Sequence, residues 1–209
     1  MPATKKQPTS ATYDVHPSLG MYQSSLTALK QKTGRTMEEW VKLVQKSGPA
    51  TEKERRAWLK AEHGLGMNYA SWIAEHSVGK GDDGNPETYL RQAEEFVDNM
   101  FSGAEESLRP IFDALLKLAR SMGADVKVCP CQTMVPLYRK HVFAQIKPTT
   151  RTRIDLGLAL KDTKVPKRLI DTGGFAKKDR ITHRIEITSM KDIDSEVKKW
   201  LTIAYEMDR

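Results

Sequence analysis

The chain has 209 residues, 34 Lys plus Arg against 27 Asp plus Glu, and 39% hydrophobic residues, enough apolar material for one ordinary domain or two small ones. No apolar run approaches the 18–20 residues of a spanning helix, and the opening MPATKKQPTSATYD has no signal-type hydrophobic core. Two cysteines are too few for a disulfide scaffold and fit a reducing, cytoplasmic setting, while the net charge of +7 points toward anionic partners.

Residues 1–18 contain Pro2, Pro8 and Pro17 among Ser, Thr and Lys, a composition that predicts a disordered arm. From Met21 a helical pattern runs through Leu26 and Leu29 to Gly34. Thr36 with Glu39 forms a capping box before Met37, Trp40, Val41 and Val44, and Gly48-Pro49 stops that helix. Thr51 with Glu54 repeats the box ahead of Ala57, Trp58 and Ala61. After Gly64-Leu65-Gly66 a fourth helix carries Ala70 and Ile73. The expected result is a helical domain over 19–78, in which Trp40, Trp58 and Trp72 anchor the core.

Residues 79–86, Gly-Lys-Gly-Asp-Asp-Gly-Asn-Pro, read as a linker, and Pro86 suits the first position of the next helix. Tyr89, Ala93, Phe96, Val97 and Met100 give that helix an apolar face. Another helix spans about 105–122, where Pro110 is either a first-turn residue or a kink. After Gly123 the apolar period changes from 3.6 to 2, which predicts strands at Asp125–Cys129, Met134–Tyr138, His141–Ile146, Arg151–Leu160 (the central one) and Arg180–Thr188. Arg139-Lys140 is the expected hairpin turn, and Lys161–Asp179 a long loop. Asp192 or Asp194 caps a terminal helix that carries Val197, Trp200, Leu201 and Ala204. The fold class expected is therefore α+β: a small N-terminal helical bundle, then over 87–209 an antiparallel sheet flanked by helices.

Charge is concentrated in the second half. Lys127–Arg184 holds fourteen Lys and Arg against four Asp, a net +10, so the rest of the chain is slightly acidic. Such a concentration either protects sheet edges or attracts phosphate-bearing ligands. The leading expectation is a non-enzymatic module that binds nucleic acid or another polyanion through its phosphates, using Arg139, Lys140, Lys147, Arg151, Arg153, Lys177, Lys178 and Arg180. Arg151 and Arg153 are expected to share one strand face. Adjacent Gly173 and Gly174 would offer their amides as an anion nest.

Gly64-Leu65-Gly66-Met67-Asn68-Tyr69-Ala70 between two helices resembles a helix-hairpin-helix motif. That resemblance implies close approach of a nucleic-acid phosphate at Gly64 and Gly66, aided by Lys60 or Lys80. A rival expectation places a small phosphorylated metabolite near His183 and the Gly173-Gly174 loop, either as a bound ligand or as an enzyme's substrate. A third is a scaffold for a protein partner or a second copy of the chain, which predicts an exposed apolar patch near Trp40 or Trp72. Cys129-Pro130-Cys131 with His141 and His183 is the weak metal alternative, since zinc sites generally separate their cysteines by two residues. No cofactor and no membrane partner is expected.

Two longer stretches carry family resemblances. Residues 21–76, with TGRTMEEWVKLV and AWLKAEHGLG, resemble a small bacterial helical domain of unknown function. Residues 93–207, with VKVCPCQTMVPLYRKHVFAQIKPTTRTRIDLGLAL and RLIDTGGFAKKDRITHRIEI, resemble a bacterial α+β domain, also of unknown function. The resemblance implies a two-domain bacterial cytoplasmic protein and supplies no catalytic or binding residue.

Overall fold

The computed structural model describes residues 12–80, 84–164 and 166–209. They form two compact units: Pro17–Thr88, and a discontinuous one made of residues 12–16 with Tyr89–Arg209. The fold class is α+β, a helical unit and an antiparallel sheet with helices.

The helical unit contains α1 (Pro17–Thr33), α2 (Met37–Ser47), α3 (Glu52–His63) and α4 (Met67–Ser77). Both capping boxes form: Thr36 and Glu39 cap α2, Thr51 and Glu54 cap α3, each Thr hydroxyl accepting from the Glu amide while the carboxylate accepts from the Thr amide. Gly64 ends α3 in the left-handed conformation, φ +63°, which a residue with a Cβ adopts only with strain. The stripes predicted from spacing meet in one core of Leu29, Met37, Trp40, Val44, Leu59, Leu65, Ala70 and Ile73. Trp58 and Trp72 pack on its margin.

In the second unit α5 (Pro86–Met100) starts at Pro86, and a short 3-10 turn at Gly103–Leu108 leads into α6 (Arg109–Arg120). Pro110 is thus a first-turn residue and causes no kink, because its missing amide falls where a helix has no acceptor for one. The strands are β1 (Lys127–Val128), β2 (Val135–Tyr138), β3 (Val142–Thr150), β4 (Arg153–Leu158), β5 (Ile170–Asp171) and β6 (His183–Ile187), in the order β1-β2-β3-β4-β6-β5 and antiparallel throughout. The expected long loop at 161–179 therefore includes a two-residue edge strand, β5; of its residues, 165 lies outside the described ones.

Cross-strand register puts Val135, Ala144, Ile146, Leu156, Leu158, Ile185 and Ile187 on one buried face. The last helix, α7 (Ser195–Glu206), capped by Asp194, packs on β3 and β4. The register shifts between Leu137 and Tyr138, a bulge that lets consecutive residues Phe143 and Ala144 both be fully buried. Phe143 meets the ring of Tyr205 edge to face, centroids 5.6 Å apart.

The expected arm is corrected over residues 12–18; residues 1–11 lie outside the described ones. Pro17 is the first residue of α1, where a proline costs nothing. Residues 12–16 form a strap along the free edge of β1. The Asp14 amide donates to the Val128 carbonyl (2.8 Å), and the Val128 amide to Asp14 Oδ2 (2.8 Å). Arg120 pairs with the same carboxylate at 3.1 Å, and Tyr13 is buried. His16 Nε2 stands 3.1 Å from the Tyr138 hydroxyl. A polar composition predicts solvent exposure on average, but one buried tyrosine and one edge-capping aspartate are enough to hold five residues down. Of the expected linker, residues 81–83 lie outside the described ones, and Pro86 opens α5.

Candidate ligand-binding cavity

A cavity of about 680 Å³ opens at the end of the sheet where the β2–β3 turn, the segment after β4, the segment before β6 and the end of α7 meet. Its polar lining is His141, Lys161, Lys178, Asp179, Arg180, Thr182, Asp208 and Arg209; its apolar lining is Ala159, Phe175, Ala176, Ala204 and Met207. Asp208 organises one wall. Its side chain is 3% exposed, and Oδ2 accepts from the His141 amide at 2.7 Å. Oδ1 takes His141 Nδ1 at 3.1 Å and also the Arg180 guanidinium, which donates from Nε to the Val142 carbonyl at 2.9 Å. The C-terminal turn, the hairpin turn and the β6 approach are thereby tied to one carboxylate.

Lys161 and Lys178 stand at the cavity with φ of +54° and +59°, the non-glycine residues of positive φ among those described. Left-handed backbone costs a lysine roughly 1–2 kcal/mol. Neither side chain forms an ion pair among the described residues, and the cavity they line also carries Asp179 and the Arg180-paired Asp208. Phe175, 55% exposed, completes the lining as a large apolar ring.

The structure brings Lys178 and Arg180 together at this cavity; Lys177 and Lys140 are exposed chain neighbours of lining residues. The other expected contacts are elsewhere. Arg139 is bound to Asp125 (2.8 Å) and lies over the Tyr205 ring (4.0 Å), with the Tyr205 hydroxyl donating to Asp125. Those two bonds, the Tyr205 one foremost, hold the Asp125 carboxyl below the usual range. Arg153 pairs with Asp155 and Glu186 at 3.0 and 2.9 Å, and Arg184 with the same two acids. The outer sheet face is therefore largely neutralised by its own carboxylates. Lys147 is half-buried on β3 opposite Asp155. Arg151 is not on a strand at all: it sits in the β3–β4 turn, so the expected shared face with Arg153 is corrected, because the hairpin turns two residues later than the alternation implies.

The amides expected to form an anion nest are already used. Gly173 N–H donates to Asp171 Oδ1 at 2.7 Å and Gly174 N–H to Thr172 Oγ1 at 3.3 Å, so the loop supplies its own acceptors. Gly174 is required sterically instead. A Cβ there would lie 2.3 Å from the Ile181 carbonyl oxygen. Gly174→Ala is expected to destabilise the unit by about 1–3 kcal/mol in urea unfolding, through displacement of the loop against β6.

His183 does not reach the cavity. It is 3% exposed, on the core face opposite Leu158, with Nδ1 2.9 Å from Thr182 Oγ1. The rival's expected anchor, His183, is therefore corrected: it is buried on the core face, and the histidine in the cavity lining is His141. Nor do the metal candidates converge. Among the described residues no three His, Cys, Asp or Glu side chains are placed to hold an ion. Cys129 is buried, its Sγ 3.7 Å from the Val15 carbonyl, and burial pushes its thiol up to about 12.

In the helical unit, Gly66 begins α4 with no side-chain cap, and a shallow hollow is lined by Ser25, Gly66, Met67, Asn68, Tyr69 and Trp72. It has no cation in its lining, and Lys80 pairs with Glu52 at 3.4 Å. Trp40 is buried and donates from Nε1 to Thr33 Oγ1 (3.0 Å), so no exposed patch centres on it.

Sequence reasoning missed Lys161 and Asp208. Lys161 ends the alternating run, a visible position; Asp208 is a lone acid after an amphipathic helix, and nothing in the sequence marks its burial.

Two family models match the chain. The one described as "Domain of unknown function (DUF4287)" covers residues 21–78, and the one described as "Domain of unknown function (DUF5655)" covers residues 97–208. No curated protein and no solved structure matches. Among the described residues no helix is long and apolar enough to cross a membrane. The second match takes in more than half of the sequence: the chain belongs to the DUF5655 family.

Proposed function

We propose that this DUF5655 family member is a non-enzymatic binding protein for a small phosphate-bearing ligand, taken up in the cavity between His141, Lys161, Lys178 and Arg180. The observation that carries this reading is the pair of lysines with left-handed backbone, neither in an ion pair among the described residues, in the lining of one concave site. A volume near 680 Å³ falls in the range of small-molecule sites. Lys161 and Lys178 supply charge, Arg180 supplies the guanidinium donors that Asp208 and the Val142 carbonyl leave over, and the alanines with Phe175 and Met207 exclude water around the contact. A cytoplasmic setting is part of the proposal, as Cys129 and Cys131 are free thiols.

Lys161→Gly/Lys178→Gly is the informative double variant, because glycine keeps the positive φ while removing the charged side chains. Titration calorimetry with inorganic phosphate at low salt is expected to show at least about tenfold weaker binding in the double variant. Its thermal stability should be equal or higher, owing to the relieved backbone. Unchanged phosphate affinity would remove the cavity from the account.

Contact with a nucleic-acid backbone is the second reading, favoured by the exposed Lys140, Lys164, Lys167 and Lys177 outside the cavity lining. It requires binding of labelled single- or double-stranded oligonucleotides that weakens steeply between about 50 and 200 mM salt.

A further inference from the structure

We infer that His141 is the hydrogen-bond acceptor of the cavity, and that the ligand is a phosphate ester carrying a hydroxyl group, of the sugar-phosphate class. This rests on the phosphate-binding reading above and adds to it the second half of the ligand.

The inference follows from what Asp208 accepts. A carboxylate has no proton to give, so the ring nitrogen it faces, Nδ1 at 3.1 Å, is the protonated one. The backbone amide of the same histidine is bound to the other carboxylate oxygen at 2.7 Å, which fixes main chain and ring together. In the neutral imidazole Nε2 then keeps its lone pair. The ring lines the cavity, its side chain is 59% exposed, and Nε2 has no partner among the described residues. A lone pair repels a bare phosphate oxygen, whereas it accepts from a hydroxyl. Beside it Lys161, Lys178 and the remaining donors of Arg180 offer positive charge to an anion. A small molecule that bears a hydroxyl close to its phosphate satisfies both requirements. Asp208 acts through His141 and is a positioning residue.

The test uses the full chain at about pH 8, with inorganic phosphate, ribose 5-phosphate and ribose as probes in titration calorimetry. Ribose 5-phosphate is expected to bind about three- to tenfold more tightly than inorganic phosphate, the value of one added hydrogen bond, with ribose alone the weakest. In His141→Phe, which keeps a ring and loses the acceptor, ribose 5-phosphate should lose its advantage over inorganic phosphate. Long-range proton–nitrogen NMR of the ring should show Nδ1 protonated and Nε2 bare in the unliganded protein. In Asp208→Asn the preference for Nδ1–H should be lost, which a merely structural role of Asp208 would not produce. If neither phosphate probe binds, the phosphate reading fails and this inference with it. If inorganic phosphate binds but ribose 5-phosphate gains nothing, or keeps its gain in His141→Phe, this inference alone is overturned. A ring protonated at Nε2 overturns it as well.

Discussion

Phe143→Ala is expected to destabilise the sheet unit by about 3–5 kcal/mol, the usual cost of removing a fully buried aromatic side chain. Its effect should exceed the area lost, because Phe143 sits at the bulge where β3 departs from β2, and its ring holds the edge of Tyr205 on α7. Without it the Tyr205 ring loses its inner neighbour, and the Arg139–Asp125–Tyr205 cluster loses its backing. The bulge also sets the spacing between His141 and β3. The variant should therefore lose phosphate binding along with stability, whereas Phe143→Leu should retain most of both. Urea unfolding gives the magnitude, and amide exchange at β3 and β4 locates it. A loss under 1 kcal/mol would mean that the bulge is held by something else.

Tyr13→Ala is expected to cost about 2–4 kcal/mol, a large effect for a residue in a segment whose composition reads as disordered. Burial raises the Tyr13 hydroxyl above its ordinary value, and the Arg109 guanidinium opposes that rise less strongly. Freeing the strap would also expose the Val128 amide, which Asp14 caps, and leave an open sheet edge. Urea melts of Tyr13→Ala and of a chain lacking residues 1–16 should agree to within about 1 kcal/mol if the strap acts as one piece. A variant as stable as the parent would restore the disordered-arm reading for residues 12–16.

How legible the molecule is from its sequence depends on how far apart the interacting residues are. Both capping boxes, the helix stops and the strand runs are local patterns, and they form nearly where the spacing puts them. The strap escapes such reading because its partners lie far along the chain, Arg120 and Val128 being 106 and 114 residues from Asp14. The cavity escapes for the same reason: Asp208 meets His141 across 67 residues, and no periodicity encodes that meeting. Charge falls between the two cases. The excess of Lys and Arg is plain in the composition, and Asp155, two residues from Arg153 on one strand face, was a readable partner. Glu186 was not, because the β4–β6 pairing had first to be known.

The strap also bears on the order in which the protein can be made. Asp14 leaves the ribosome more than a hundred residues before Val128, the backbone it pairs with. At about 5–20 residues per second that interval is roughly 6–23 s, long compared with the microseconds in which α1 to α4 can form and pack. The helical unit is thus complete while Tyr13 still has no surface to cover. Residues 12–16 are synthesised long before they can find their places, and until then the nascent chain carries an unsealed β1 edge, the stage at which it is most exposed to pairing with a neighbouring chain.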